Sequence, residues 1–475
     1  MDTIDFDAVI QNPLKFIDDI FQRVKSPLQS TDTDWGEEKL LEEVAEAVKS
    51  KLEPCGDGLI RLCGMITESK GSEFYSGVYR DPVSNQVHSG KYRDSAPYDC
   101  CDEQSQRVFA REVFVLSEIP GPSSWIKCSN PFLSTDRVFL KVLEQGKMYQ
   151  VGQLVDVIGI RSQESPSIIH QVWSQEFSLF SMSKPMSSLL SVRGDLIQFL
   201  AYALGNDYKA AQYVLIHMIS RVHSRVPQQS VAIGNFPIHL LPSTEAAALI
   251  MSNRIQELYS LLLPFTTSLD VSIETLSSFT KISPRMDYEA EELISGPLHL
   301  APGTVLILDQ TKMESGKLEE HALRNLKTLQ RLASEQKLSF DFMYDIDFEV
   351  DIPVLVMAKE RTTLIPTQYK VGIGGVDPLP EYIDYRIDDG ILEGWRQYIA
   401  SARRMTVQLS EGISEKARKD FLDHKLKAEE MHQVLNLARL LSASYLESEF
   451  TEAIWDEAFS LEKDRSNNFS TNSKC

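Results

Sequence analysis

Pro302-Gly303-Thr304-Val305-Leu306-Ile307-Leu308-Asp309-Gln310-Thr311-Lys312-Met313 reads as a buried strand that delivers an Asp at its end. Nucleotide-hydrolysing α/β domains place an acid there to hold Mg²⁺. They also need a loop of the form G-x-x-x-x-G-K-[ST], whose backbone N–H groups and lysine hold the β and γ phosphates. No stretch of the 475 residues matches it. Gly-Lys occurs only at Gly90-Lys91-Tyr92, Gly146-Lys147-Met148 and Gly316-Lys317-Leu318, and none has Ser or Thr next or Gly five residues before. The run therefore predicts a nucleotide-hydrolase type of scaffold that has lost its phosphate chemistry.

Upstream, Phe236-Pro237-Ile238-His239-Leu240-Leu241 predicts a strand, and Pro242-Ser243-Thr244-Glu245 stands where a phosphate loop would lie, ahead of a helix over 246–263. That turn has no glycine to aim successive N–H groups at a pyrophosphate, and no lysine follows. Pro242, Ser243 and Thr244 are thus degenerate phosphate-loop positions, and Asp309 with Gln310 the degenerate acidic end. Asp309 has two readings, Mg²⁺ ligand or cap of the next helix, and capping is preferred. No catalytic residue, cofactor or metal is assigned. Further strands are expected at Leu298-His299-Leu300, 304–308 and 352–357. Between the last two, Phe340, Phe342, Tyr344, Ile346, Phe348 and Val350 alternate with Asp341, Met343, Asp345, Asp347, Glu349 and Asp351. This is strand period two with one acidic face, a poor surface for DNA.

Nearer the start, Asn12-Pro13 predicts a helix ended by Ser26-Pro27, and a second helix follows Asp34. Leu40, Leu41, Val44, Ala47 and Val48 form its apolar stripe, while Glu37, Glu38, Glu42, Glu43 and Glu46 form a wet face. Short strands rich in β-branched and aromatic residues are expected at 59–67, 74–79, 108–116, 138–143 and 154–160, enough for a small barrel of the oligonucleotide-binding (OB) type. Residues 163–188 read as a linker, being Ser-rich with Pro166 and Pro185. Helices follow, with Gly205 stopping one and Asp207 capping the next; His217 beside the second stripe reads as a core or rim histidine. The resulting organisation is multidomain α/β: a helical segment (1–52), an OB-like β-barrel (53–162), the linker (163–188), a degenerate nucleotide-hydrolase α/β domain (189–375), a helical domain (376–464) and a disordered tail (465–475).

At about 150 residues per domain the length predicts three domains, and 43% hydrophobic content suffices for their cores. Lys and Arg total 48 against 68 Asp and Glu, a net charge of −20 that makes direct nucleic-acid binding unfavourable and a basic protein partner more natural. Six cysteines, at 55, 63, 100, 101, 128 and 475, form no C-x-x-C pair, and no secretory stretch opens the chain, so reduced thiols inside the cell are expected and zinc is not. No run approaches about 18 consecutive apolar residues, so no membrane association is expected.

The last two domains resemble the AAA+ half of the minichromosome maintenance (MCM) helicase subunits. Leu308-Asp309-Gln310-Thr311-Lys312-Met313 resembles the helicase Walker B run I-D-E-F-D-K-M with the hydrolytic Glu replaced by Gln310. Residues 325–336 and the alternating stretch match its helix and pre-sensor hairpin, which is basic and faces DNA in the helicase; Arg396-Gln397-Tyr398-Ile399-Ala400-Ser401-Ala402-Arg403-Arg404, Leu409-Ser410-Glu411 and 431–443 match its helical lid. Lys359-Glu360 stand at the sensor-one Asn, Glu429 at the sensor-two Arg, and no S-R-F finger occurs. Joint loss of these charge-handling groups argues against hydrolysis.

The whole chain is similar to the MCM complex-binding protein family of eukaryotes, through Glu73-Phe74-Tyr75-Ser76-Gly77-Val78-Tyr79, Gly90-Lys91-Tyr92-Arg93-Asp94, Ser124-Trp125-Ile126-Lys127, 196–219 and Ala438-Arg439-Leu440-Leu441-Ser442. The resemblance implies a nuclear factor that binds helicase subunits in place of one of them and helps remove the complex from chromatin in S phase, with a role in sister-chromatid cohesion. An acidic insertion of animal members has no counterpart around Cys128–Arg137. Two other functions stay open: an ATPase using Asp309 for Mg²⁺ and Lys312 or Lys317 for charge, and a single-strand binder using Lys91, Tyr92 and Arg93 beside Phe74, Tyr75 and Tyr79.

Overall fold

The computed structural model describes residues 5–30, 32–52, 58–81, 83–94, 106–126, 137–143, 148–162, 164–177, 186–226, 231–374, 386–408, 411–425 and 427–471. The chain divides into two compact units, Met1–Ile119 with Lys127–Ser178, and Pro120–Ile126 with Leu179–Cys475.

The first unit opens with helices α1 (Phe6–Gln11), α2 (Pro13–Phe21) and α3 (Glu37–Val48). Asn12 caps α2 by accepting from the Lys15 N–H, as Asn-Pro predicts. Strands β1 (Leu59–Arg80), β2 (Val87–Ser89), β3 (Gln106–Ser117), β4 (Val138–Val142), β5 (Leu154–Arg161) and β6 (Ile168–Glu176) follow. β1 pairs with β3 and β5, β3 with β4, β4 with β6 in parallel, and β6 with β5, so five strands close a ring while β2 extends β1. Ile60, Leu62, Phe114, Leu140, Val157 and Ile169 belong to one buried cluster. Ile17, Leu41, Val44 and Val48 of the helices pack with Leu59, Tyr92, Ile158 and Ile160 in another.

Two expectations change here. The strands read at 59–67 and 74–79 are one β1, bent at register shifts and a left-handed Gly71, so the polar middle that looked like a break is a continuous edge paired to β3. Residues 168–176, read inside a linker, form β6 and complete the ring.

The second unit carries α4 (Met186–Ala203), α5 (Tyr208–Ile219), β7 (Ser224–Val226), β8 (Val231–Ile233), β9 (Ile238–Pro242), α6 (Glu245–Leu262), β10 (Thr266–Asp270), α7 (Ile273–Ser278), β11 (Arg285–Asp287), β12 (Glu292–Ile294), β13 (Val305–Asp309), α8 (Glu320–Glu335), β14 (Lys337–Asp341), β15 (Asp345–Glu349), β16 (Val354–Met357), β17 (Tyr369–Ile373), α9 (Asp389–Arg404), α10 (Glu411–Asp423), α11 (Ala428–Ser444) and α12 (Glu452–Thr471). A five-stranded sheet runs β10-β13-β16-β9-β17, parallel throughout. Its apolar strands are buried on both faces, as β13 and β16 show by being buried at every residue. Trp395, Tyr398, Leu441 and Trp455 of the C-terminal helices share its core cluster.

Four readings are corrected. Residues 298–300 form no strand. The single strand read from period two is two strands, β14 and β15, of a hairpin such as the helicase resemblance implied, turning at Met343 in the left-handed region (φ 65°). Its acidic face is also partly neutralised: Asp341 pairs with Lys281, Asp347 with Arg331 (2.5 Å), Glu349 with Arg225 (3.4 Å) and Asp351 with Arg403 (3.3 Å). The tail expected from 465 is helical to Thr471, where Arg465 pairs with Glu462 and donates to the Lys370 carbonyl (3.1 Å). Residues 472–475 lie outside the described residues, as do most of those around the insertion site at 128–137. Among the described residues no helix is long and apolar enough to cross a membrane.

Candidate functional site

In open parallel sheets ligands bind beyond the carboxyl ends of the strands, where the order of connection reverses. β9 sits between β16 and β17, its helix α6 leads toward β10 at one edge, and β17 forms the other edge, so the end of β9 is that place. Pro242 closes the strand, Ser243 turns and Thr244 caps α6, its Oγ1 accepting from the Ala247 N–H (3.2 Å). Glu245 opens the first turn, where a carboxylate complements the helix dipole. It pairs with Lys359, which follows β16, at 3.0 Å, and this contact raises the Lys359 pKa. A triphosphate brought to this helix end would meet a carboxylate, while the nearby lysine is held by that same carboxylate.

Asp309 ends β13 and is buried. Its Oδ2 accepts from the Ser252 hydroxyl of α6 (2.6 Å), and its Oδ1 from the Thr311 N–H (2.8 Å) and hydroxyl (2.6 Å). The helix-cap reading fails, because α8 begins only at Glu320; the N–H it satisfies belongs to a tight turn two residues on. Gln310 is buried beside it and its Oε1 accepts from the Leu364 N–H (3.4 Å). Lys312 is held by Asp270 (3.1 Å), and Lys317 is exposed. The residues present do not fit Mg²⁺-nucleotide: both oxygens of the strand-end acid are engaged by protein donors and the loop offers no cation. Ser252 went unread in the sequence, although a Ser at helical spacing between Ala248 and Ile255 marks a polar group on a buried face. The Glu245–Lys359 pair joins two segments 114 residues apart, which no local pattern reveals. His217 is a core histidine as expected, its Nδ1 bonded to the Tyr259 hydroxyl (2.9 Å), with burial pushing its pKa down to about 3.

The second candidate is the Gly90-Lys91-Tyr92-Arg93-Asp94 stretch of the first unit. Gly90 is required because a Cβ would run into the Ser76 carbonyl. Lys91 is 2% exposed and pairs with Glu37, itself 0% exposed, and with Glu38 (2.9 Å). Burial raises the Glu37 pKa and outweighs the opposing attraction of Lys91. Arg93 pairs with Asp18 (2.8 Å), Tyr92 is buried, and Asp94 bonds His170 (2.9 Å). Glu37 is therefore a buried ion-pair member rather than part of a wet face. Lys91, Tyr92 and Arg93 are spent on the N-terminal helices, so the basic and aromatic platform expected for a single strand is not presented; of its neighbours Phe74 is 78% exposed and Tyr75 is buried.

Comparison with known proteins adds the decisive observation: the family described as mini-chromosome maintenance replisome factor matches residues 49–150 and 151–469. The chain belongs to that family. Similar proteins called mini-chromosome maintenance complex-binding protein include one from Arabidopsis thaliana, 24% identical over 85% of this chain and 87% of that protein. One from Gallus gallus is 30% identical over 82% of this chain and 58% of its own length, and one from Drosophila melanogaster 33% over 58% and 47%. The chain thus spans about half the length of these two animal relatives. The replisome factor family match includes the Gly90–Asp94 stretch, β9 and β13, so both candidate sites lie within it.

Proposed function

We propose that this replisome factor is a non-catalytic binding partner of the MCM helicase, associating with MCM subunits in place of one ring member and promoting release of the complex from chromatin during S phase. The family assignment and the names of its relatives support the partner. The observation that carries the non-catalytic part is the Glu245–Lys359 pair at the α6 end together with the three protein donors on Asp309. The strand order supports an AAA+-like domain with a helical lid, and the closed five-stranded ring supports an OB-like barrel. Such a subunit mimic offers neighbours a familiar interface while giving no lysine or sensor to a shared ATP site. On this reading the protein acts in the nucleus, touches chromatin through MCM, and supports DNA replication and sister-chromatid cohesion. Co-elution of the purified chain with reconstituted MCM subunits tests it; recovery of no subunit at mild salt refutes it. The ATPase reading and the single-strand reading find no favouring feature at Asp309 or Lys91.

A further inference from the structure

The four-stranded sheet β12-β11-β14-β15 presents two hairpin turns at one end. β11 and β14 run parallel with Arg285 opposite Asp341, and the same row continues to Ile294 on β12 and Asp345 on β15. Both chains leave that row in the same direction, so the turns at 288–291 and 342–344 project from the same end of the sheet on neighbouring strands, roughly 5 Å apart across the row, with the first beginning two residues (~7 Å) farther out. Large side chains with apolar surface stand in solvent on both turns: Tyr288 is 48% exposed on the first, Met343 80% and Tyr344 70% on the second. Solvated tips holding three such side chains are unusual for surface turns, which Gly, Asn and Ser normally occupy. Met343 also adopts a left-handed backbone (φ 65°) that glycine or asparagine would take more easily.

The apolar tips are set in an acidic field. Residues 285–294 carry Asp287, Glu289, Glu291 and Glu292 against the single Arg285, and residues 337–349 carry Asp341, Asp345, Asp347 and Glu349 against the single Lys337. Asp341, Asp347 and Glu349 find cations on neighbouring elements, whereas Glu289 is exposed at the turn and Asp345 stands 3.9 Å from Lys281. A nucleic acid is repelled by such a surface. What complements it is a lysine- and arginine-rich protein surface with apolar recesses for Tyr and Met.

We propose that the twin tips, Tyr288-Glu289 and Met343-Tyr344, dock a basic surface of the MCM complex, the tyrosines and the methionine acting as anchors and the carboxylates setting orientation and on-rate. This rests on the proposed partner. Because these side chains are about half or more exposed, they can be changed without unfolding the unit, and Asn at 343 suits the left-handed backbone. The test uses the full chain and reconstituted MCM complex, with affinity measured across a salt series for wild type, Met343→Asn/Tyr344→Ser and Tyr288→Ser/Glu289→Lys, each checked for an unchanged thermal midpoint. Each variant is expected to bind about tenfold more weakly, the loss typical of a truncated anchor, and the Glu289→Lys variant to show a shallower salt dependence. Wild type binding with both variants within twofold of it overturns the docking surface and leaves the partner standing. Failure of wild type to bind overturns both.

Discussion

Replacing Asp309 separates a structural acid from a metal ligand. The carboxylate takes three hydrogen bonds, from a Ser252 hydroxyl that is 1% exposed and from the N–H and hydroxyl of Thr311, 4% exposed. Asp309→Ala strands these donors where water does not reach. At about 1–3 kcal/mol for each buried donor left unsatisfied, and with less than full additivity, the loss is about 3–5 kcal/mol. Asp309→Asn behaves differently: its carbonyl can still accept both Thr311 bonds, and its amide can donate to Ser252 once that hydroxyl turns, so the cost falls to about 1 kcal/mol. Urea unfolding followed through Trp395 and Trp455, both buried in the same unit, reads these differences directly. The series is repeated with Mg²⁺-ATP, which stabilises any protein that binds it by mass action. The account expects no shift of the midpoint by Mg²⁺-ATP in wild type or either variant. It is refuted if nucleotide raises the wild-type midpoint and both substitutions abolish that rise, or if Asp309→Ala unfolds within about 0.5 kcal/mol of wild type.

Three further outcomes follow from the same geometry. Lys91→Met leaves Glu37 buried without its cation, which costs about 3–5 kcal/mol at neutral pH; the folded Glu37 pKa already lies above its ordinary 4.5 and rises further, so the penalty shrinks as pH falls through the folded value, and a pH-independent gap in denaturant midpoints would contradict it. His239 is buried and its pKa is pushed down by burial from 6.5 to about 4, so its contribution is present above 6.5 and lost as pH falls toward 4; His239→Phe should flatten the stability profile over that window, and an unchanged slope would count against it. Single-stranded oligonucleotide anisotropy should show no binding that depends on Arg93, because Asp18 holds it; steep salt-dependent binding abolished by Arg93→Ala would restore the single-strand reading.

Local pattern revealed what local physics determines. Asn12-Pro13, Asp207 and the apolar 304–308 run announce a cap, a cap and a buried strand through residues adjacent in sequence; both caps form where expected and the strand one residue on, at Val305–Asp309. The missed elements take their stability from distant partners. Ile168–Glu176 carries Ile168, Ile169, Val172 and Trp173, a strand-like set hidden by the Ser- and Pro-marked stretch around it, and it pairs with β4 and β5. Glu37 sits on the helix with four other glutamates, and what sets it apart is full burial against Lys91, 54 residues away, which no local pattern reveals. Phe340–Val350 kept strict period two through a turn, so alternation alone could not show where the hairpin folds. At the candidate site the absent glycine and lysine were legible at 242–245, whereas the engagement of Asp309 by Ser252 required the packing of α6 against β13.

The most direct test of the central claim is a structure of the chain bound to MCM subunits, with nucleotide present. The account predicts the parallel-sheet unit standing in one subunit's position, with no ATP phosphates at the α6 end and Glu245 still paired to Lys359. A complete helicase ring with this chain attached elsewhere, or ATP phosphates enclosed beside Thr244 with Asp309 turned to a metal, would contradict it.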